Sequence, residues 1–384
     1  MHITALPLAV LAYLGAVALA GVEGACSGPN TRTQPPTGAI VVDATGAYQG
    51  SFRTVSEGVA AIPNTTAEHT LFILPGVYNE QVIVPKFNGP LVLQGYTCDA
   101  TSYASNEATI SHKMAQKDLP PNTPAANARV STLLFKSRKG VKVYNLNVAN
   151  PEGKIKQLGQ AVAVYVDNTD YGFYGCNFTG CQDTLCANKG KELYARSYIS
   201  GAVDFIFGQQ SKAWFESCDF ESIGAGSITA NGNPGSSNLS QYVFNNARVF
   251  GSSKASGYLG RPWRPYARVV WQNSELGDVI NPQGWQTWNG DSNTGHVYFK
   301  EFNNSGPGAA TGQRVSFSGQ LTAPAVITDI LGKDYESNGG STRSTCESLL
   351  TATKDVHPDI RLIPFCILPL SNSMSCSNDC NLSD

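Results

Sequence analysis

Short alternating runs dominate the pattern of hydrophobic and polar positions. "VYNLNV" (143–148), "FYGCNF" (173–178), "LYARSY" (193–198), "FESCDF" (215–220), "FNNARV" (244–249), "WQNSEL" (271–276) and "VYFKEF" (297–302) each begin and end on an apolar residue. Their starts are separated by 30, 20, 22, 29, 27 and 26 residues. One short strand-like unit repeating at such a period marks a solenoid, whose units bury a continuous core only by stacking. The pattern predicts an all-β, single-domain β-solenoid of parallel strands, with long coils carrying their insertions as loops. A β-sandwich with irregular turns is the alternative. Helical spacing is scarce. "FRTVSEGVAAI" places Phe52, Val55, Val59 and Ile62 three or four apart, which predicts one amphipathic helix near the start.

Polar residues in apolar settings bring in the chemistry. The stretch "CQDTLCANKGKELYARSYISGAVDFIFG" (181–208) holds Asp183 and Asp204, 21 residues apart. If one coil takes about 21 residues, the two occupy equivalent places on successive coils, and stacked strands lie about 4.8 Å apart. Neighbouring carboxylates cannot both ionise freely, so one pKa rises, which suits an acid beside a base or nucleophile. Two exposed turn aspartates would mean nothing. Gln160 and Gln182 are 22 residues apart, again about one coil. Their amides could donate to a developing oxyanion, or form a plain glutamine ladder between coils. In "YLGRPWRPYARVVW" (258–271), Arg261 sits between Gly260 and Pro262. A fixed guanidinium can hold a carboxylate ionised through a bidentate contact. Trp263 offers a flat face for a sugar ring, or packs in the core. Arg264 and Arg268 read as solvated surface.

Composition narrows the classes. Of 384 residues, 15% are charged, against about 25% in an average soluble protein. The formal net charge of −2 and the lack of a basic run with interleaved aromatics give no pull toward nucleic acid. Residues 5–20 carry no charge, and Ala18-Leu19-Ala20 fits a small-x-small cleavage site, so residues 1–20 read as a signal peptide and the protein as secreted. That run lacks a preceding Lys or Arg, and it is shorter than the ~20 residues a membrane span needs. No other stretch is long enough to span, so no membrane partner is expected. Ten cysteines in a secreted chain permit disulfides, and the absence of C-x2-C argues against structural zinc. Sequons stand at Asn64, Asn177, Asn238, Asn303 and Asn381, with Asn177 inside a strand-like run. No G-x-S-x-G, H-E-x-x-H or Gly-rich phosphate loop occurs, and none of the five histidines lies near these motifs. The chemistry therefore rests on carboxylates, amides and one arginine.

In order along the chain, "GVYNE" (76–80), "GQAVAV" (159–164), "GCQDTL" (180–185), "DFIFG" (204–208) and "LGRPW" (259–263) resemble the motifs of the pectin methylesterases, carbohydrate esterase family 8. The resemblance covers roughly residues 36–336, within an expected domain of residues 36–337, and is nearest the short microbial members, most like those of fungi. It implies a right-handed parallel β-helix that hydrolyses the C6 methyl ester of galacturonate in pectin. Asp204 would be the nucleophile. Asp183 would protonate departing methanol and then activate water. Gln182, assisted by Gln160, would stabilise the oxyanion. Arg261 would keep Asp204 ionised, and Phe207 and Trp263 would stack on the sugar chain. No metal or cofactor is implied, the partner is methyl-esterified pectin, and a monomer is expected. Residues 21–35 read as a short N-terminal segment. Residues 338–384 depart from the family pattern: they carry no coil repeat and read as a disordered or loosely packed extension. Rival readings are a pectin lyase, a glycosidase using the same carboxylates, and a glycan-binding solenoid with a decayed site.

Overall fold

The computed structural model describes residues 26–152, 159–291 and 293–335. The expected signal peptide and the segment 338–384 lie outside the described residues. Every strand ladder is parallel, in one 17-stranded and one 8-stranded sheet, and the chain winds as a right-handed parallel β-helix. The strands form three faces. One runs from Ile40–Val42 through Tyr171–Tyr174, Gln210–Glu216 and Tyr298–Phe302 to Ser318–Gln320. The second includes Val164–Asp167, the start of Leu185–Ala195, Ile206–Gly208, Gly226–Asn231 and Gly257–Pro262. The third includes Asn147–Ala149, Asn177–Thr179, Tyr198–Gly201 and Asp219–Ser222.

The repeated segments are the corners between the first and third faces. At each, one residue takes the left-handed conformation: Asn145, Gly175, Arg196, Ser217, Asn246, Asn273 and Asn303, with φ between 48° and 57°. Most are Asn or Gly, the residues that tolerate that region best. These corners shift two of the expected units. In "LYARSY" the residue equivalent to Phe173 is Tyr194, one place later than the apolar-ends pattern put it. In "VYFKEF" the equivalent of Trp271 is Glu301. The apolar pattern misled because Leu193 faces outward, into a cluster with Ile330 and Leu331.

In-register stacking builds the core. Phe173, Tyr194, Phe215, Phe244 and Trp271 lie face to face, with centroid separations of 4.8, 4.6, 4.5 and 3.9 Å in chain order. The strand spacing of about 4.8 Å sets this repeat. Phe178 and Phe220 pack edge-on against the column, the other favoured aromatic geometry.

The expected helix is present as Val55–Ala60, starting three residues later than Phe52. Phe52 instead bridges Val42. Thr54 and Glu57 form a capping box, and Val55, Val59 and Ile62 are buried. The carboxylate of Glu80 accepts from the Val55 and Ser56 amides at 2.7 and 2.9 Å. Tyr78 donates its hydroxyl to the Leu74 carbonyl at 3.0 Å. The "GVYNE" motif therefore fastens this helix over the first coils. At the other end, Ile327–Leu331 packs on the outside of the first face, near Trp214 and Val270. Cys26 and Cys98 form a disulfide, while Cys176, Cys181, Cys186 and Cys218 are buried thiols.

Candidate active site

Asp183 and Asp204 stand at the entrance to the second face. Gln182 bridges Val203 in parallel, so the coils are aligned one residue before each aspartate. The Asp183 amide donates to the Val203 carbonyl at 3.1 Å, and the Asp204 amide to the Ser227 carbonyl at 2.6 Å. Both aspartates are left-handed, at φ 65° and 50°. Aspartate tolerates this conformation better than most residues, and such outliers cluster at functional sites. The next residue of each, Thr184 or Phe205, is fully buried. The aspartates themselves are only 6% and 4% exposed.

Arg261 comes from two coils further on. In the strand register Cys186 faces Phe207, Phe207 faces Ala230, and Ala230 faces Arg261. The single methyl of Ala230 leaves the guanidinium room to reach back across its coil. Arg261 Nε and Nη2 donate to Asp204 Oδ1 and Oδ2 at 2.8 and 2.6 Å, a bidentate pair. Two motif glycines permit close packing between neighbouring coils here. A Cβ on Gly260 would lie 2.1 Å from Thr229 Oγ1, and one on Gly208, at φ 146°, would lie 1.9 Å from the Ala187 carbonyl oxygen.

The two carboxyls differ electrostatically. Burial pushes Asp183 well above the usual carboxylate range, and the neighbouring Asp204 charge adds to this while Arg261 opposes it. Burial also raises Asp204, but its hydrogen bonds and ion pair with Arg261 pull it back. The arginine favours the Asp204 carboxylate, although burial is the larger effect. Arg261 opposes the rise at both carboxyls, but it is hydrogen-bonded only to Asp204.

Gln160 and Gln182 sit on adjacent coils beside the aspartates. The Ala161 amide donates to the Gln182 carbonyl, whereas Ala163 and Val164 both donate to Thr184. This bulge absorbs the one residue by which 22 exceeds 21, and brings Gln160 opposite Gln182. The Gln160 carbonyl accepts from the Gln116 amide at 2.9 Å. Both side chains are partly exposed, and neither amide has a hydrogen-bond partner among the described residues.

An apolar cluster flanks these residues. Phe207 is only 3% exposed and packs with Cys186, Ala230 and Val162. It underlies Trp263, at a centroid distance of 6.2 Å, rather than presenting a free face to a sugar as expected. Trp263 is partly exposed and keeps the stacking role open. Four residues packed against this cluster escaped the sequence reading: Met114, Leu119, Tyr165 and Trp288. Tyr165 was discoverable, since it alternates with inward Val164 and Val166. Trp288 comes from a loop and leaves no periodic trace. Among the described residues the candidate metal-ligating cluster is Cys26, Cys98 and Glu107, whose two cysteines are joined to each other.

The family model "Pectinesterase" matches residues 39–327. The chain belongs to the pectinesterase family. The pectinesterase of Aspergillus aculeatus is 42% identical over 318 residues, spanning 80% of this chain and 92% of that protein. The Aspergillus niger pectinesterase is 42% identical over 316 residues, with the same coverage. Among solved structures, the Aspergillus niger pectin methylesterase superposes with a TM-score of 0.73 at 36% identity, covering 82% of this chain and 99% of that one. Pectin methylesterase from carrot gives 0.67 at 28% identity, covering 81% and 97%. The enzyme is therefore a carboxylic ester hydrolase that acts on the methyl esters of pectin.

Proposed function

We propose that the enzyme cleaves the C6 methyl ester of galacturonate through a covalent intermediate on Asp204. The observation that carries this is the bidentate Arg261–Asp204 pair one coil from Asp183, which Arg261 does not bridge. Asp204 attacks the ester carbonyl carbon, and the carbonyl oxygen becomes a tetrahedral oxyanion. The amides of Gln182 and Gln160 donate to that oxygen. As the C–O bond to methoxy breaks, Asp183 transfers its proton and methanol leaves. Asp183, now a carboxylate, takes a proton from water. The hydroxide formed attacks the acyl carbon, Asp204 is released, and the galacturonate carboxyl remains. Trp263 stacks on the sugar chain, with Phe207 as its support.

Methanol release from esterified pectin tests the assignment. Asp204→Ala should lose at least ~10³-fold in kcat with its thermal transition intact. Unchanged methanol release from this variant would refute the nucleophile. Reducing ends or unsaturated uronates in the wild-type product would point to a glycosidase or lyase instead.

The protein acts outside the cell as a monomer in this reading. The Cys26–Cys98 disulfide suits an oxidising compartment. The few large apolar side chains left exposed, such as Tyr48, Val77 and Leu239, lie on different elements. No helix among the described residues is long and apolar enough to cross a membrane. Light scattering on the secreted product measures the mass, and a dimer would overturn the monomer.

A further inference from the structure

We propose that Trp288 is a positioning residue that fixes the Arg261 guanidinium against Asp204 by covering its outer face. This rests on the reading of Asp204 as nucleophile. The Arg261 Cζ lies 4.3 Å from the centroid of the Trp288 ring, a close cation–π contact. Arg261 thus sits between two partners: the Asp204 carboxylate along its donor edge and the indole over its plane. Its remaining nitrogen, Nη1, reaches Asn289 Oδ1 at 3.5 Å, from the residue next to Trp288. The side chain is consequently only 19% exposed.

The loop that supplies Trp288 is tied down on both sides. Trp285 bridges Gly260, and the Gln286 amide donates to the Gly260 carbonyl at 3.0 Å, one residue from Arg261. Ser227, in the strand whose Ala230 lies opposite Arg261, donates its hydroxyl to Gln286 Oε1 at 3.2 Å. The Asp291 amide closes a turn onto the Trp288 carbonyl at 2.7 Å. Further on, His296 stacks on Tyr266 at 4.6 Å with the rings nearly parallel. The indole is therefore delivered from a braced loop, as a positioning group must be.

Water is the competitor. A guanidinium that can tilt into solvent screens its ion pair and orients the carboxylate less well. Covering its plane with an apolar ring lowers the local dielectric and leaves only the donors facing Asp204 in use. Other charges nearby do not substitute for this cover. Asp183 lies on the carboxylate side, Arg264 sits over Trp263 at 5.8 Å, Asp291 accepts from the Asn293 amide, and His296 is held by Tyr266.

Removing the ring lets the guanidinium loosen, so Asp204 holds its proton to higher pH. In Trp288→Ala the acidic limb of the kcat/KM profile should move to higher pH, and kcat should fall about tenfold. Trp288→Phe should restore most of both, because its ring can still cover the guanidinium. Trp288→Leu, which keeps apolar volume without a π face, should behave like the alanine variant. Thermal melts identify any variant that fails to fold, and the remaining two then decide. A rise in KM alone, with kcat and the acidic limb at wild-type values, would overturn the proposal and leave Trp288 as a sugar-stacking surface. Full function in Trp288→Leu would overturn it equally. Asp204→Ala run alongside separates the two readings. If it is inactive while the Trp288 variants keep the wild-type limb, only the positioning role fails; if it stays active, both fall.

Discussion

Asp183 and Asp204 share a left-handed backbone conformation one coil apart, and of the two only Asp204 is hydrogen-bonded by Arg261 among the described residues. The stacked fold makes the two positions equivalent. A third residue, from two coils beyond Asp204, makes them different. A symmetric pair of carboxyls becomes one held by an arginine and one that is not.

Asp183→Asn separates chemistry from stability. Turnover should fall by roughly 10²–10⁴, since the general acid and base is gone. Stability should move the other way. A folded-state pKa raised by burial means that Asp183 stabilises the fold fully below the ordinary aspartate value, and that this contribution is lost as pH rises through the folded value. At neutral pH the neutral amide should therefore be the more stable side chain, by on the order of 1 kcal/mol, or roughly 2 °C in Tm. Melting curves from pH 3 to 8 check this. The variant's advantage should vanish at the acid end, and a variant less stable than wild type at pH 7 would show a structural aspartate.

Arg261→Lys keeps the charge and loses the fork. A lysine cannot reproduce two parallel donors at 2.8 and 2.6 Å. The expected outcome is a fall in kcat/KM of about 10²-fold, with the acidic limb moved to higher pH because Asp204 is less well held. A profile superimposable on wild type would show that only net charge matters.

Gly208→Ala probes the close packing under the site. The new methyl would press on the Ala187 carbonyl at 1.9 Å, in a backbone conformation at φ 146° that suits glycine. A loss of about 2–4 kcal/mol is expected, read by denaturant unfolding. Activity should fall as well, since Gly208 follows Phe207 beneath Trp263.

Phe244→Ala removes one ring from the middle of the aromatic column, where it faces Phe215 at 4.5 Å and Trp271 at 3.9 Å. A fully buried phenylalanine cut to alanine should cost about 3–5 kcal/mol. Calorimetry reads the shift, and a change under 1 kcal/mol would mean that the neighbouring coils collapse to fill the gap.

The parts of the site that were legible lie where coils are short. Between Phe173 and Phe215 each coil takes 21 residues with no insertion, so the Asp183–Asp204 gap equals the coil length and could be read as stacking. Arg261 lies 57 residues from Asp204, across longer coils whose loops blur the period. Its pairing was accessible only through the resemblance carried by "LGRPW". Trp288 obeys no period, because loop residues are placed by hydrogen bonds rather than by alternation. The corner register slipped at Leu193 for a related reason. Apolarity signals burial, and this helix buries side chains outside the coil as well as within it.

The residues of the proposed site belong to five consecutive coils, with Gln160 at one end of the set, Arg261 at the other, and Ala230 on the coil between Asp204 and Arg261. Each coil touches chiefly its neighbours, so a solenoid can fray from its ends without disturbing its middle. Catalysis therefore reports on the integrity of that central block and of the Trp288 loop packed on its last coil. On gentle heating or limited proteolysis, the capping helix at the far end can be lost while methanol production persists; once any one of those five turns or the Trp288 loop opens, it stops.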